Sequence, residues 1–508
     1  MRRSLGGCML VGVAVAAAAL ATPAHAAAPA IDVALPDVTV AAGGSTSIAP
    51  ILFSDQETVV TDGAVVFQLS DGLAGVVLST PDDFSGCTSD GPAKLTCTEF
   101  GEISIGPSGI IGNFVAGIAA TEAALGESGT VKVTFSADGV ASIARTVEVN
   151  VVEGVDLAAG ELKEISVKPG KSFEASVQVH NTTDKVVHGT AVIFATDYPF
   201  LPTKQFANCF YAQGQVNACT FDQDLEPGAT YQIDVPYQLR PDTYAPSAVA
   251  GEFQWLTAGD YTDLIKFIDD LGYEGPGTAG NGGTLELRQL PAVSSLARQK
   301  QTDTNPEDNW QLLIVNASGK QGTDFAAIGA TVSAAAGATV KVPVGVRNNG
   351  PATLDRSRGG SSAVTAIITI PVGTKVVTVP DGCVKAEDDG MKTKPGALQY
   401  ACFSDPLFPA KTQLTWEFGL KITRVVANAE GAVEVNPACE CDSFSQDINK
   451  SNDVAKIVVN PTDTGGEGGS MPVTGPQAGL IGAAGALLVA VGIAGFIATR
   501  RRRTRFEA

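Results

Sequence analysis

The same succession of landmarks returns three times along the chain, and a repeat of that size dictates the architecture before any single residue does. Each unit opens on an Asp followed by one further residue and Ala: Ile31-Asp32-Val33-Ala34, Val155-Asp156-Leu157-Ala158 and Thr323-Asp324-Phe325-Ala326. A glycine turn follows at Gly43-Gly44-Ser45-Thr46, Pro169-Gly170-Lys171-Ser172 and Ala336-Gly337-Ala338-Thr339. Polar turns come next in the second and third units, at Asn181-Thr182-Thr183-Asp184 and Asn348-Asn349-Gly350-Pro351. Paired cysteines then appear. Nine residues separate Cys87 from Cys97 and Cys209 from Cys219, and eighteen separate Cys383 from Cys402. Further turns fall at Gly106-Pro107, Pro227-Gly228 and Pro409-Ala410, and the last two units close on Asp308-Asn309 and Asn452-Asp453 ahead of apolar runs.

Between these landmarks the apolar period is two. Val131, Val133 and Phe135 alternate with polar residues, as do Ala175, Val177 and Val179; Val340, Val342, Val344 and Val346 form one such row, and Leu414, Trp416, Phe418, Leu420 and Ile422 another. Alternation puts one sheet face in a core and the other in water. Strands of this kind between Gly, Pro and Asn turns predict an all-β chain of three tandem immunoglobulin-like β-sandwich domains, at 27–153, 154–320 and 321–460. With 508 residues, a single core is excluded in any case.

The ends read differently. Arg2 and Arg3 precede an uncharged run and then Ala24-His25-Ala26, which predicts a secretory signal peptide over 1–26. Residues 461–470 are Gly-rich and polar and read as a linker. Residues 478–498 carry no charge; at ~1.5 Å per helical residue they cross the ~30 Å hydrocarbon layer, so a transmembrane helix is expected there. Arg500, Arg501, Arg502, Arg503 and Arg505 follow, a basic cluster that stays cytoplasmic and leaves everything upstream outside.

Met471-Pro472-Val473-Thr474-Gly475, an apolar span and an Arg-rich tail, in that order over 471–508, resemble the LPxTG cell-wall sorting signal of Gram-positive surface proteins, with Met in place of the usual Leu. The resemblance implies a sortase that cuts between Thr474 and Gly475 with a cysteine nucleophile and joins the Thr474 carboxyl to a peptidoglycan precursor. The chain is then the substrate of an enzyme. The repeat pattern itself resembles the DUF11/CARDB-type repeats of bacterial surface proteins, which implies immunoglobulin-like building units and names no ligand.

Seven of the 34 basic residues but only one of the 54 acidic ones lie in the two ends, so the segment 27–474 carries about −26. Such a balance disfavours nucleic acid and anionic membrane surfaces as partners. The expected partners are the sortase, the peptidoglycan precursor, an extracellular protein or glycan ligand, and the membrane through the C-terminal span before sorting.

Cys8 falls in the signal peptide, which leaves eight cysteines for an oxidising compartment, so disulfides are expected. The pair in each unit is expected to close a local loop. Cys439 and Cys441 are extra, and with Cys383 and Cys402 they allow three connectivities.

Chemistry is sparse. No HExxH, GxSxG or zinc-type Cys/His spacing occurs, and Gly170-Lys171-Ser172 reads as a turn, because Ile165 stands where a phosphate loop needs Gly and a strand follows. No catalytic residue, cofactor or metal site is therefore assigned, although Asp156 and Asp324 at the unit junctions are candidates for calcium. The expected function is a non-enzymatic, wall-anchored structural or adhesive display module. The alternative is a surface hydrolase or carbohydrate-binding protein with its site in the second unit, near His180, His188 or the insertion 255–305. Within that insertion Asp260 is expected to cap a helix carrying Leu264, Ile265, Ile268 and Leu271, ending at Gly272.

Overall fold

The computed structural model describes residues 30–81, 86–290, 300–386, 394–437 and 447–461. They are mostly β, and the strands form three two-sheet bodies in series.

In the second body one sheet is ordered Leu157–Ala159, Ser172–Asn181, Thr230–Leu239, Phe200–Pro202. Its partner sheet runs Lys163–Val167, Trp310–Gln321, Ala245–Thr257, Val187–Thr196, Gln215–Leu225, Cys209–Ala212. The third body repeats both orders strand for strand. Phe325–Ile328, Thr339–Asn348, Gln413–Ile422 and Thr374–Thr378 make one sheet. Ala330–Val332, Val454–Val459, Ala429–Val435, Thr365–Thr369, Gln399–Phe403 and Cys383–Lys385 make the other. In both bodies the opening segment pairs antiparallel in one sheet, then crosses and pairs parallel with the closing strand of the other. A first strand divided between two antiparallel sheets in this way is an immunoglobulin-like arrangement.

The first body keeps the larger sheet, ordered Val38–Ala41, Val140–Val155, Ser128–Ala137, Thr58–Leu69, Lys94–Ile105, Cys87–Ser89. Its smaller sheet is split. Ser45–Ile48 pairs with Ala116–Ala120, whereas Ile51–Ser54 pairs back with Ile31–Ala34. The break falls at Ala49-Pro50: proline has no N–H for the ladder, so what is one strand in Ser172–Asn181 becomes two here. The recurrent glycine turn has a backbone reason as well. Gly43, Gly170 and Gly337 have φ of 76°, 79° and 86°, a left-handed conformation that a Cβ disfavours.

Each body has its own apolar core, and the alternating rows point into it. Val131, Val133 and Phe135 are fully buried in the first, Ala175 and Val179 in the second, Val344 and Val346 in the third. The bodies are linked through strands. Val140–Val155 closes the first body, and its last residues Glu153–Val155 pair in parallel with Gln301–Asp303 of the second. Between the second and third bodies Thr243 bridges Thr353, and the Thr353 N–H donates to the Asp242 carbonyl at 2.8 Å.

Candidate functional site

The sorting motif Met471, Pro472, Val473, Thr474 and Gly475, the span 478–498, the signal peptide 1–26, and Cys439 with Cys441 all lie outside the described residues. Among the described residues no helix is long and apolar enough to cross a membrane.

Three disulfides join Cys87 to Cys97, Cys209 to Cys219 and Cys383 to Cys402. In every case the two residues face each other directly across neighbouring strands at the same edge of the larger sheet. Each bridge therefore staples a hairpin at the end of its larger sheet; in the first and third bodies that hairpin is outermost, where a ladder has only one neighbour and frays most readily, and in the second a short further strand covers it.

The two histidines of the second body stand apart, on different sheets. His180 Nδ1 lies 3.0 Å from Thr230 Oγ1, and His188 Nδ1 lies 3.2 Å from Asp224 Oδ1. In both cases the partner is the residue directly opposite on the adjacent strand, so these are cross-strand pairs of the kind that fixes register.

The insertion is woven over the second sandwich. Thr278–Ala279 extends the larger sheet beside Cys209–Ala212, Arg288–Leu290 extends the smaller one beside Thr230–Leu239, and Leu285 and Leu287 enter the core. Its helix spans Ala258–Asp270. The N-cap is Thr257, not Asp260: the Thr257 hydroxyl accepts from the Asp260 N–H at 3.1 Å and donates back to its carboxylate at 2.7 Å. Asp260 is the third helical residue of this reciprocal cap. Gly272 follows the helix with φ 75°. The helix turns toward the first body. Thr39 donates to Asp263 at 2.7 Å, and Lys266 pairs with Asp37 at 2.7 Å. Between helix and first body lies a cleft of about 430 Å³, with Val38, Ile48 and Ile51 on one wall and Leu264 and Phe267 on the other. Asp260 also lines it, its carboxylate accepting from the Thr302 hydroxyl at 2.6 Å and the Asp303 N–H at 3.1 Å; burial pushes its carboxyl above the usual range.

Asp156 and Asp324 stand where one body passes into the next, and the loop before the closing strand brings further carboxylates to each. Asp303 Oδ2 accepts from Leu157 N–H at 2.9 Å, and its Oδ1 from Asn305 N–H at 2.8 Å. The third body copies this: Asp447 Oδ2 accepts from Phe325 N–H at 2.7 Å, and its Oδ1 from Asn449 N–H at 2.9 Å. Burial, reinforced by the charge of Asp156, raises Asp303 to about 6. Burial, then Asp447 and Asp324, raise Asp453 to about 6 against the opposing effect of Lys450. Among the described residues no three Asp, Glu, His or Cys side chains are grouped so as to hold a metal. Asp156 and Asp324 were legible as junction residues; Asp303 and Asp447 were signalled only by the shared spacing of Asp303-Thr304-Asn305 and Asp447-Ile448-Asn449.

No family model matches the chain, and no curated protein matches it in sequence. Among solved structures it is similar to a Corynebacterium diphtheriae protein described as membrane anchored, at 11% identity, over 80% of this chain and 86% of that one, with a TM-score of 0.15. It is similar also to the Escherichia coli alpha-2-macroglobulin activated by porcine elastase, at 9% identity over 86% of this chain and 33% of that one, TM-score 0.16. The I9–I11 tandem of titin matches at 10% identity over 85% of this chain and 99% of that one, TM-score 0.15. Likenesses of this size carry no argument about function.

Proposed function

We propose that the chain is a non-enzymatic surface protein, a structural or adhesive display module whose three sandwiches are carried outside the cell and joined to peptidoglycan by a sortase at Thr474. The observation that carries this reading is the interlocked series itself. Successive bodies share strand pairing and ion pairs at both junctions, so the molecule is built to hold its modules in order. Three disulfides at equivalent hairpins suit an oxidising exterior, where reducing systems do not reach. Cross-strand histidines and the absence of a catalytic motif from the sequence favour display over hydrolysis. Met471 matches Leu in volume, so a pocket shaped for Leu accommodates it.

The test is Thr474→Ala in the full-length protein. The expected result is a shift from the wall fraction to the membrane fraction with surface exposure intact. An unchanged wall fraction overturns the sortase step, and loss of surface exposure in the parent protein overturns export.

A further inference from the structure

We propose that the third body binds a phosphoryl group, free or within a phosphodiester, in a pocket between Arg347 and Lys411. The inference goes beyond display and anchoring and depends on neither. The pocket has a volume of about 500 Å³ and is lined by Arg347, Asn348, Asn349, Lys411, Thr412 and Gln413, so both of its charged walls are cationic. Arg347 lies near the end of strand Thr339–Asn348, and Lys411 lies on the turn that leads into the adjacent strand Gln413–Ile422. Both cations have neutral partners. Arg347 donates from Nε and Nη2 to Gln413 Oε1 at 3.1 and 2.5 Å, and the Lys411 ammonium donates to the Asn349 carbonyl. Neither figures among the charges acting on Asp447 or Asp453, the carboxylates that gather near Asp324, so neither serves as their counter-ion.

The second body supplies the comparison. Asn181 N–H donates to the Ala229 carbonyl at 3.0 Å as Asn348 N–H donates to the Thr412 carbonyl at 2.9 Å, which sets His180 in register with Arg347 and Gly228 with Lys411. Gly228 and Lys411 both have φ of 64°, the same left-handed turn. Glycine enters that conformation freely and a Cβ disfavours it, so the third body keeps a lysine where the backbone asks for glycine. Backbone strain of this kind persists where the side chain is used. At the other position an imaging of the same cross-strand pair holds: His180 faces Thr230, whereas Arg347 faces Gln413 and brings a guanidinium that stays charged. The two exchanges put two cations into one pocket of a chain whose net charge is −20.

The donors decide the kind of anion. Gln413 takes the Nε–Nη2 edge of the guanidinium fork, an edge that would otherwise grip a planar carboxylate with two parallel bonds. Arg347 Nη1 and the remaining ammonium protons of Lys411 come from separate elements and act as two point donors. A tetrahedral phosphoryl group, with oxygens directed several ways, accepts from both at once. One such site is expected per chain, because the second body has His180 and Gly228 at these positions.

The test is calorimetric titration of the full-length protein with sodium phosphate, with dimethyl phosphate and with sodium acetate, each alone and at constant ionic strength. The expected result is one site per chain that takes a phosphate at least tenfold more tightly than acetate and weakens as salt is raised. Binding of dimethyl phosphate assigns the site to a phosphodiester, and binding of inorganic phosphate alone assigns it to a free phosphate or monoester. Lys411→Gly and Arg347→His each place in the third body the residue that the second carries at that position. Each is expected to weaken binding at least tenfold, with the melting temperature of Lys411→Gly no lower than the parent's. No heat with either phosphate, equal binding of acetate, or undiminished binding in both variants overturns the proposal.

Discussion

Replacing Arg358 by Ala should loosen the third body from the second while leaving both folded. Arg358 sits on the short turn Ser357–Gly359 and reaches back across the junction. Its Nε donates to Asp197 Oδ1 at 2.9 Å and its Nη1 to Glu252 Oε1 at 2.5 Å, with further donation to the Ala250 carbonyl at 3.3 Å. The guanidinium is 43% exposed, so each ion pair is screened and contributes about 0.2–1 kcal/mol. Two such pairs and a weak neutral bond together hold the junction by about 1–2 kcal/mol, a factor of about 5–30 in the undocked population. The remaining contacts, Thr353 with Asp242 and Tyr198 N–H with Asp355 at 3.2 Å, keep the docked state dominant. Native-state hydrogen exchange reads this directly. Protection of the Thr353 and Tyr198 amides should fall about 5–30-fold, while Val344 in the third core stays as it was. About 1 M salt should have a similar effect on the parent protein. Unchanged protection at Thr353, or an equal loss at Val344, refutes the reasoning: the first means that Arg358 does not hold the junction, the second that it holds the fold.

Asn181→Ala removes a fully buried amide that donates to the Lys185 carbonyl at 2.7 Å and the Leu225 carbonyl at 3.0 Å, so denaturant melts should show the second body losing about 2–4 kcal/mol. Replacing Cys209 and Cys219 together by Ala opens a loop with a sequence separation of 10, at an expected loss of about 2–3 kcal/mol and a lower midpoint, and should leave the third body's transition in place. Asp303 gives a pH signature. Its carboxyl is near 6 in the fold against 3.8 in an unfolded chain, so the native state binds the extra proton between those values. Stability must then fall as pH rises from about 4 to about 6, by up to about 3 kcal/mol. Chemical denaturation of Asp303→Asn across that range should lack this slope, and a slope equal to the parent's would refute it.

Much of the architecture was legible because a sandwich writes its alternation and turns into the sequence. Val131, Val133 and Phe135, or Val342 and Val344, announce a buried face by period alone, and the left-handed backbone of Gly43, Gly170 and Gly337 explains why a glycine recurs there. The split of Ser45–Ile48 from Ile51–Ser54 was carried by Pro50, a residue that reads clearly only once the unbroken equivalent Ser172–Asn181 is in view. The helix cap went to Asp260 because an acidic residue near a helix start is a strong local signal, but the Thr257 hydroxyl completes a reciprocal cap that a single-residue reading misses. The junctions were the least legible part. Nothing local in Asp37 or Lys266 says that they meet from positions so far apart in sequence, and the cleft between Val38 and Phe267 exists only because two bodies abut. Asp303 and Asp447 likewise gain their meaning from the opening strand that each one caps.

Mass spectrometry of the C-terminal peptide released from cell walls by a muramidase tests the central claim most directly. A peptide ending at Thr474, its carboxyl amide-linked to a peptidoglycan stem fragment and with Gly475 onward removed, is the predicted product. An uncut peptide running through Gly475 into the apolar segment, recovered from membranes with no wall fragment attached, would contradict it.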